Sequence, residues 1–95
     1  MAAYLIADLT ITDPEGFKAY QQQVGATLAP YGGTFLVRGG AHETMEGEWH
    51  PQTLVILQFE SVAQAWRWYQ SPEYTALSDL RKQSAITQAV VVEGV

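Results

Sequence analysis

The chain has 95 residues, 47% of them hydrophobic and 16% charged, a composition that suits one globular domain over residues 1–95 and excludes disorder as a description of the whole. Ten acidic against five basic residues give a net charge of −5. The Lys and Arg side chains are scattered, so no basic stripe exists to hold phosphates, and neither nucleic acid nor an anionic membrane surface is expected as a partner. Absent cysteine removes disulfides, thiolate catalysis and Cys-ligated zinc.

The start, MAAYLIADLTITDPEGF, has no basic region and reaches Asp8 before a signal core could form. No apolar run approaches the roughly 20 residues of a membrane span. A cytoplasmic protein is the expectation. Tyr4–Ile11 reads as a strand, Leu5, Ala7, Leu9 and Ile11 alternating with Tyr4, Ile6, Asp8 and Thr10. Asp13 then offers an N-cap and Pro14 a first helical position, and the helix aligns Phe17, Tyr20, Val24 and Leu28 on one stripe. Pro30 and Gly32-Gly33 end it.

Strands are predicted at Thr34–Arg38 and Thr53–Phe59, joined by the long connection Gly39–Gln52. Ser61 with Gln64 makes a capping-box pattern for the next helix, whose buried stripe is expected to be Val62, Ala65, Trp66 and Tyr69, with Trp68 turned outward. Ser71-Pro72-Glu73 repeats the cap-then-proline signal and breaks that helix, the second piece turning Tyr74 and Leu77 inward. Ile86–Val92 is a last, β-branched strand.

The order β-α-β-β-α-β is the ferredoxin-like plan, an α+β fold with a four-stranded antiparallel sheet whose first and third strands lie in the middle. By parity, Leu5, Ala7, Leu9 and Ile11 with Val55, Leu57 and Phe59 meet the helices. The other face then carries Tyr4, Ile6, Leu36, Leu54 and Ile56, mixed with Asp8, Arg38 and Gln58, and no helix remains to cover it. So apolar an open face predicts a homodimer, sheet against sheet.

The stretches YLIADLTITDPEGFKAY, YGGTFLVRGG with MEGEW, and WYQSPEYTALSDLR resemble the DUF1330 family, uncharacterised domains of the dimeric α+β barrel superfamily. The resemblance implies a homodimer whose sheets form a barrel, and no agreed chemistry. That wider superfamily includes cofactor-free monooxygenases, haem-handling enzymes, lactone isomerases and small-ligand regulatory domains. The family pattern often has a basic residue where this chain has Thr53, so an anion-binding role does not carry over to that position.

Arg38 and Asp8 are the sharpest candidate pair, both falling by parity on the dimer-facing side. Arg38 would fork a carboxylate-bearing ligand while Asp8 serves as acid, base or acceptor; the commoner alternative is a structural salt bridge. The stretch Tyr31–Trp49 holds five of the eight glycines together with His42, Glu43, Glu46 and Trp49, a shaped surface in which His42, Glu46 and Trp49 are candidate ligand contacts. His42, Glu43, Glu46 and His50 match no metal-ligand spacing, and no metal is expected. Tyr69 is a candidate proton donor into a cavity beneath the helices, though aromatic stripes more often form core.

Ser61 and Ser71 read as helix caps, and Arg81 and Lys82 as cations at a helix C-terminus. No nucleotide-binding glycine motif occurs and no cofactor is expected. Together these features predict a small-molecule binding protein, for an acidic or aromatic ligand, extending to a cofactor-free enzyme of monooxygenase or isomerase type. The rival is a non-catalytic dimeric structural or stress-associated module.

Overall fold

The structure, a computed structural model, describes residues Met1–Val95. Its elements are β1 (Ala3–Ile11), α1 (Pro14–Leu28), a 3-10 turn (Ala29–Tyr31), β2 (Thr34–Arg38), β3 (Leu54–Phe59), α2 (Val62–Tyr69), α3 (Pro72–Ser84) and β4 (Ala85–Glu93). The strands form one antiparallel sheet in the order β2-β3-β1-β4, with β3 and β1 in the middle as the ferredoxin-like plan requires. All three helices lie on one side of it.

Local chemistry sets the element ends. The Asp13 carboxylate accepts from the Gly16 amide at 3.3 Å, ahead of Pro14 at the first helical position of α1. Ser61 and Ser71 do the same for α2 and α3, accepting from Gln64 N at 3.0 Å and Tyr74 N at 3.1 Å. Pro72, which cannot continue α2, opens α3 instead, so the second helix is broken where the sequence placed the break. Gly33 is required by close approach: a Cβ there would lie 2.7 Å from both the Leu28 side chain and the Phe59 ring.

The core is a cluster of 13 buried residues between sheet and helices, from Ala7 and Leu9 on β1 to Trp68 on α2 and Tyr74 on α3. Trp68 stacks against Tyr74 at 4.1 Å and Phe59 at 5.6 Å between ring centroids. Its indole N–H donates to Thr27 Oγ1 at 3.0 Å, which gives the buried ring its polar partner.

Here the expected face of α2 is corrected. Trp68 is 2% exposed and Trp66 47% exposed, the reverse of the predicted arrangement. The buried positions step from Ala65 to Trp68 and then to the Ser71 cap, a three-residue stagger imposed by the early helix end. A four-residue stripe through Trp66 would need a longer helix to stay on the sheet.

The far face of the sheet is uncovered. Register pairs Tyr4 with Val92 and Ile6 with Val90 across β1 and β4, and Ile6 with Ile56 across β1 and β3. Leu36, Ile86, Val90 and Val92 are all exposed. No helix is long and apolar enough to cross a membrane.

Candidate functional site

Strand parity places the candidate pair wrongly, and the cause is one residue. The β2–β3 ladder pairs Phe35 with Leu57, then Val37 with Ile56 and Arg38 with Val55, so Leu36 is an extra residue in a β-bulge. After the bulge the alternation is inverted. Arg38 therefore shares the helix face with Phe35 and Val55, not the outer face with Asp8. Its Cζ sits 4.4 Å from the Phe35 ring centroid, and its Nη2 donates to the Gln21 carbonyl of α1 at 3.2 Å. Gly39 follows at φ 73°, and its amide returns the chain to the Leu54 carbonyl at 2.8 Å.

Asp8 stands on the outer face with other partners. Its Oδ2 accepts from the Trp49 indole N–H at 3.0 Å and its Oδ1 from the Gln52 amide at 2.9 Å. The Trp49 bond is the largest of the effects that hold the Asp8 carboxyl below its usual range. The expected Arg38–Asp8 ion pair is absent, and the carboxylate instead pins the connection between β2 and β3 to the sheet.

His42 belongs to the same connection. Its Nε2 lies 2.6 Å from the Pro51 carbonyl oxygen and its Nδ1 3.2 Å from that of Gly40, two acceptors that together favour the imidazolium and raise its pKa. His50 Nδ1 meets the Thr44 hydroxyl at 3.1 Å. Glu46 lies exposed on this connection, and Trp49 is 58% exposed. No group of three His, Asp or Glu side chains comes together in a metal-binding arrangement.

The concave site lies elsewhere, between the sheet and the helices of one chain. A cavity of about 90 Å³, measured by where the centre of a water molecule fits, has 13 hydrophobic residues among its 17 lining ones. That is several times the roughly 10–15 Å³ that one water occupies on this measure. Leu5, Ala7, Leu57 and Ala89 form its floor on the sheet, and Phe17, Tyr20, Trp68 and Tyr74 descend from the helices. Small residues at Ala7 and Ala89, paired across β1 and β4, leave the room. Tyr69 lines this cavity and also a wholly apolar groove beside it, formed with Trp66, Val90 and Val91 along β4.

Polar atoms in the cavity are few and convergent. Arg38 stands among the lining residues. Arg81, 8% exposed, donates from Nε to the Tyr74 hydroxyl at 3.0 Å. The Tyr74 and Tyr20 hydroxyls lie 2.9 Å apart, and burial is the leading cause that raises the Tyr20 pKa, so that phenol keeps its proton. The Thr87 hydroxyl is buried without a partner.

Arg81, Tyr20, Tyr74 and Thr87 were not foreseen as site residues. Its place near a helix end explains Arg81 as a cation there, yet it completes the spacing of Tyr74, Leu77 and Ser78 at three, four and seven residues, which marks it as inward-facing. That signal was legible. The cavity itself was not, since it depends on the gap between two layers.

These features define a ferredoxin-like α+β protein with a cavity under its helices, and comparison agrees on the fold. Over residues 2–95 the chain matches the model of the family described as "Domain of unknown function (DUF1330)". The chain belongs to that family.

Among solved structures it is similar to a protein of unknown function from Rhodopseudomonas palustris, at 17% identity and TM-score 0.79, over 99% of this chain and 82% of that one. It is similar also to a dimeric ferredoxin-like protein of unknown function from Jannaschia sp. CCS1, at 13% identity and TM-score 0.69, over 99% and 100% of the two chains. A third is SnoaB, a cofactor-independent oxygenase from Streptomyces nogalater, at 10% identity and TM-score 0.69, over 99% and 93%. Identities this low establish a shared fold and no more. No curated protein matches the chain.

Proposed function

We propose that this protein is a homodimer that binds a small, flat, mostly apolar molecule in the cavity under the helices of each protomer. The observation that carries the proposal is the cavity. In a domain whose core is otherwise closed by stacked aromatics, an apolar space lined by 13 hydrophobic residues is left beneath Tyr20, Trp68 and Tyr74. Protein interiors are normally close-packed, so room of this size with a few convergent polar groups is the mark of a ligand site.

Dimerisation is supported by the exposed apolar outer face and by dimeric relatives of the same fold. A cofactor-independent oxygenase shares the fold, which makes oxygenation of a bound aromatic the best-supported chemical extension. A non-catalytic dimer is the alternative that the experiment must defeat.

Thermal unfolding with a panel of flat apolar compounds tests the binding. A ligand at about 100-fold over its Kd stabilises by ~2.7 kcal/mol, a rise on the order of 10 °C for a domain of this size. Ala89 is exposed at the cavity's β4 side, so Ala89→Phe should block the space and remove that rise while leaving the unliganded melting point close to wild type. Stabilisation by no compound in the panel would leave the cavity as a packing defect. Dioxygen uptake with a stabilising compound then tests the oxygenase extension.

A further inference from the structure

The polar end of the cavity has a hydrogen-bonding deficit of one sign. Arg81 is buried, lines the cavity, and makes one side-chain hydrogen bond, from Nε to Tyr74. A guanidinium has five N–H donors and no acceptor; the chain gives a partner to one of them, and the Nη groups still reach solvent-sized space, where a ligand could meet them. One of the Tyr74 and Tyr20 hydroxyls donates to the other at 2.9 Å. The second phenolic proton has no acceptor left there, because Arg81 cannot accept. Burial holds Tyr20 in its neutral, donating form. Thr87 adds a buried hydroxyl without a partner to the cavity wall.

A neutral polar ligand would satisfy some of these donors. It would not compensate the charge, and a cation as little exposed as Arg81 is better served by a counter-charge than by a neutral acceptor. No acidic side chain of the chain bonds Arg81; the carboxylates lie elsewhere, Asp8 on the opposite face of the sheet and Glu73 against the Tyr31 hydroxyl at 2.7 Å. Arg38 does not fill the same role, because it is exposed and already engaged with the Gln21 carbonyl and the Phe35 ring.

We propose that the ligand carries a single carboxylate on its flat apolar body, and that Arg81 with the Tyr20–Tyr74 hydroxyl pair receives it. The planar guanidinium suits two carboxylate oxygens, and its hydrogen bonds to a charged acceptor are stronger than those to a neutral one. The proposal rests on the cavity being a ligand site.

Matched probes separate the two ideas. Benzoate and 2-naphthoate would be compared with benzamide and 2-naphthamide by calorimetry on the wild-type protein, with the Arg81 Nε–H resonance followed by NMR. The acids should bind roughly 10- to 100-fold more tightly than their amides, and should shift that resonance. In Arg81→Met the preference should vanish, in Tyr20→Phe it should shrink, and in Arg81→Lys part of it should return.

Equal affinity for acid and amide would overturn the carboxylate assignment and leave the cavity reading standing. Binding of neither class would sink both. A preference for acids that survives Arg81→Met and disappears in Arg38→Met would move the anchor to the cavity mouth and refute this one. The wild-type comparison decides the matter even where a variant fails to fold.

Discussion

The helix side of the sheet and its outer side are both unfinished, in different ways. Above Ala7, Leu57 and Ala89 the helix side leaves a cavity whose polar atoms lack acceptors. The outer side presents Ile6, Leu54, Ile56 and Val90, and the charge it carries, Asp8, has both carboxylate oxygens occupied by Trp49 and Gln52. An outer face that lacks only apolar cover can be completed by any complementary apolar surface, a second copy included. An inner site that lacks a specific counter-charge needs a specific molecule. The proposed association and the proposed recognition would thereby use opposite faces of a single sheet.

The largest effect that tests this division concerns the inner side. Trp68→Ala removes a ring that is 2% exposed and stacked on Tyr74 and Phe59, and should cost about 3–5 kcal/mol in denaturant unfolding. Trp66→Ala, on the exposed side of the same helix, should cost under about 1 kcal/mol. Comparable losses at the two positions would place the wrong tryptophan in the core.

On the outer side, Ile6→Glu sets a charge among Ile56 and Val90. Sedimentation equilibrium at micromolar concentration should report a dimer for wild type and a monomer for the variant, with ligand binding by the monomer retained. A variant that dimerises like wild type would remove the outer face as the interface.

Arg38→Met discriminates more finely. Were Arg38 paired with Asp8 in the interior, the change would strand a carboxylate and cost about 3–5 kcal/mol. Because Asp8 is bonded elsewhere and Arg38 is exposed, the expected cost is under about 1 kcal/mol, with the melting curve as readout.

The smallest effect is a pH window in the β2–β3 connection. Asp8 has a folded pKa below its ordinary 3.8, so its contribution is present above that value and lost as pH falls through the folded one. His42 has a folded pKa above its ordinary 6.5, so its contribution is full below 6.5 and lost as pH rises through the folded one. The Trp49 indole N–H should therefore be most protected, relative to the intrinsic exchange rate of a free indole at each pH, between about pH 4 and 6.5. In His42→Ala the alkaline limit should disappear while the acid limit remains.

Much of this architecture was legible before any coordinates. Proline and cap residues at Asp13-Pro14 and Ser71-Pro72 fixed helix starts, because those signals act within one turn of chain. Alternation over β1 gave the two faces correctly, since an unbroken strand preserves its parity. What failed was non-local. The side of α2 that packs depends on where the helix stops relative to the sheet, and the side of Arg38 depends on a bulge that no residue type in TFLVR announces. The site suffered most from this: two of its expected partners, Arg38 and Asp8, stand on opposite faces, while Arg81 went unrecognised because its cationic role at a helix end was already a sufficient explanation.

The bulge at Leu36 makes β2 behave like a text with a movable reading frame. Upstream of it the residues keep one phase, and downstream every side chain changes side. Deleting Leu36 would remove the bulge and leave Arg38 opposite Val55 on the helix side, whereas keeping Leu36 in a regular ladder would set Arg38 opposite Leu54, on the surface that a partner copy would cover. Whether the arginine of this strand faces the helices or the open side of the sheet is thus decided by one unpaired residue upstream of it, and by nothing in the arginine itself.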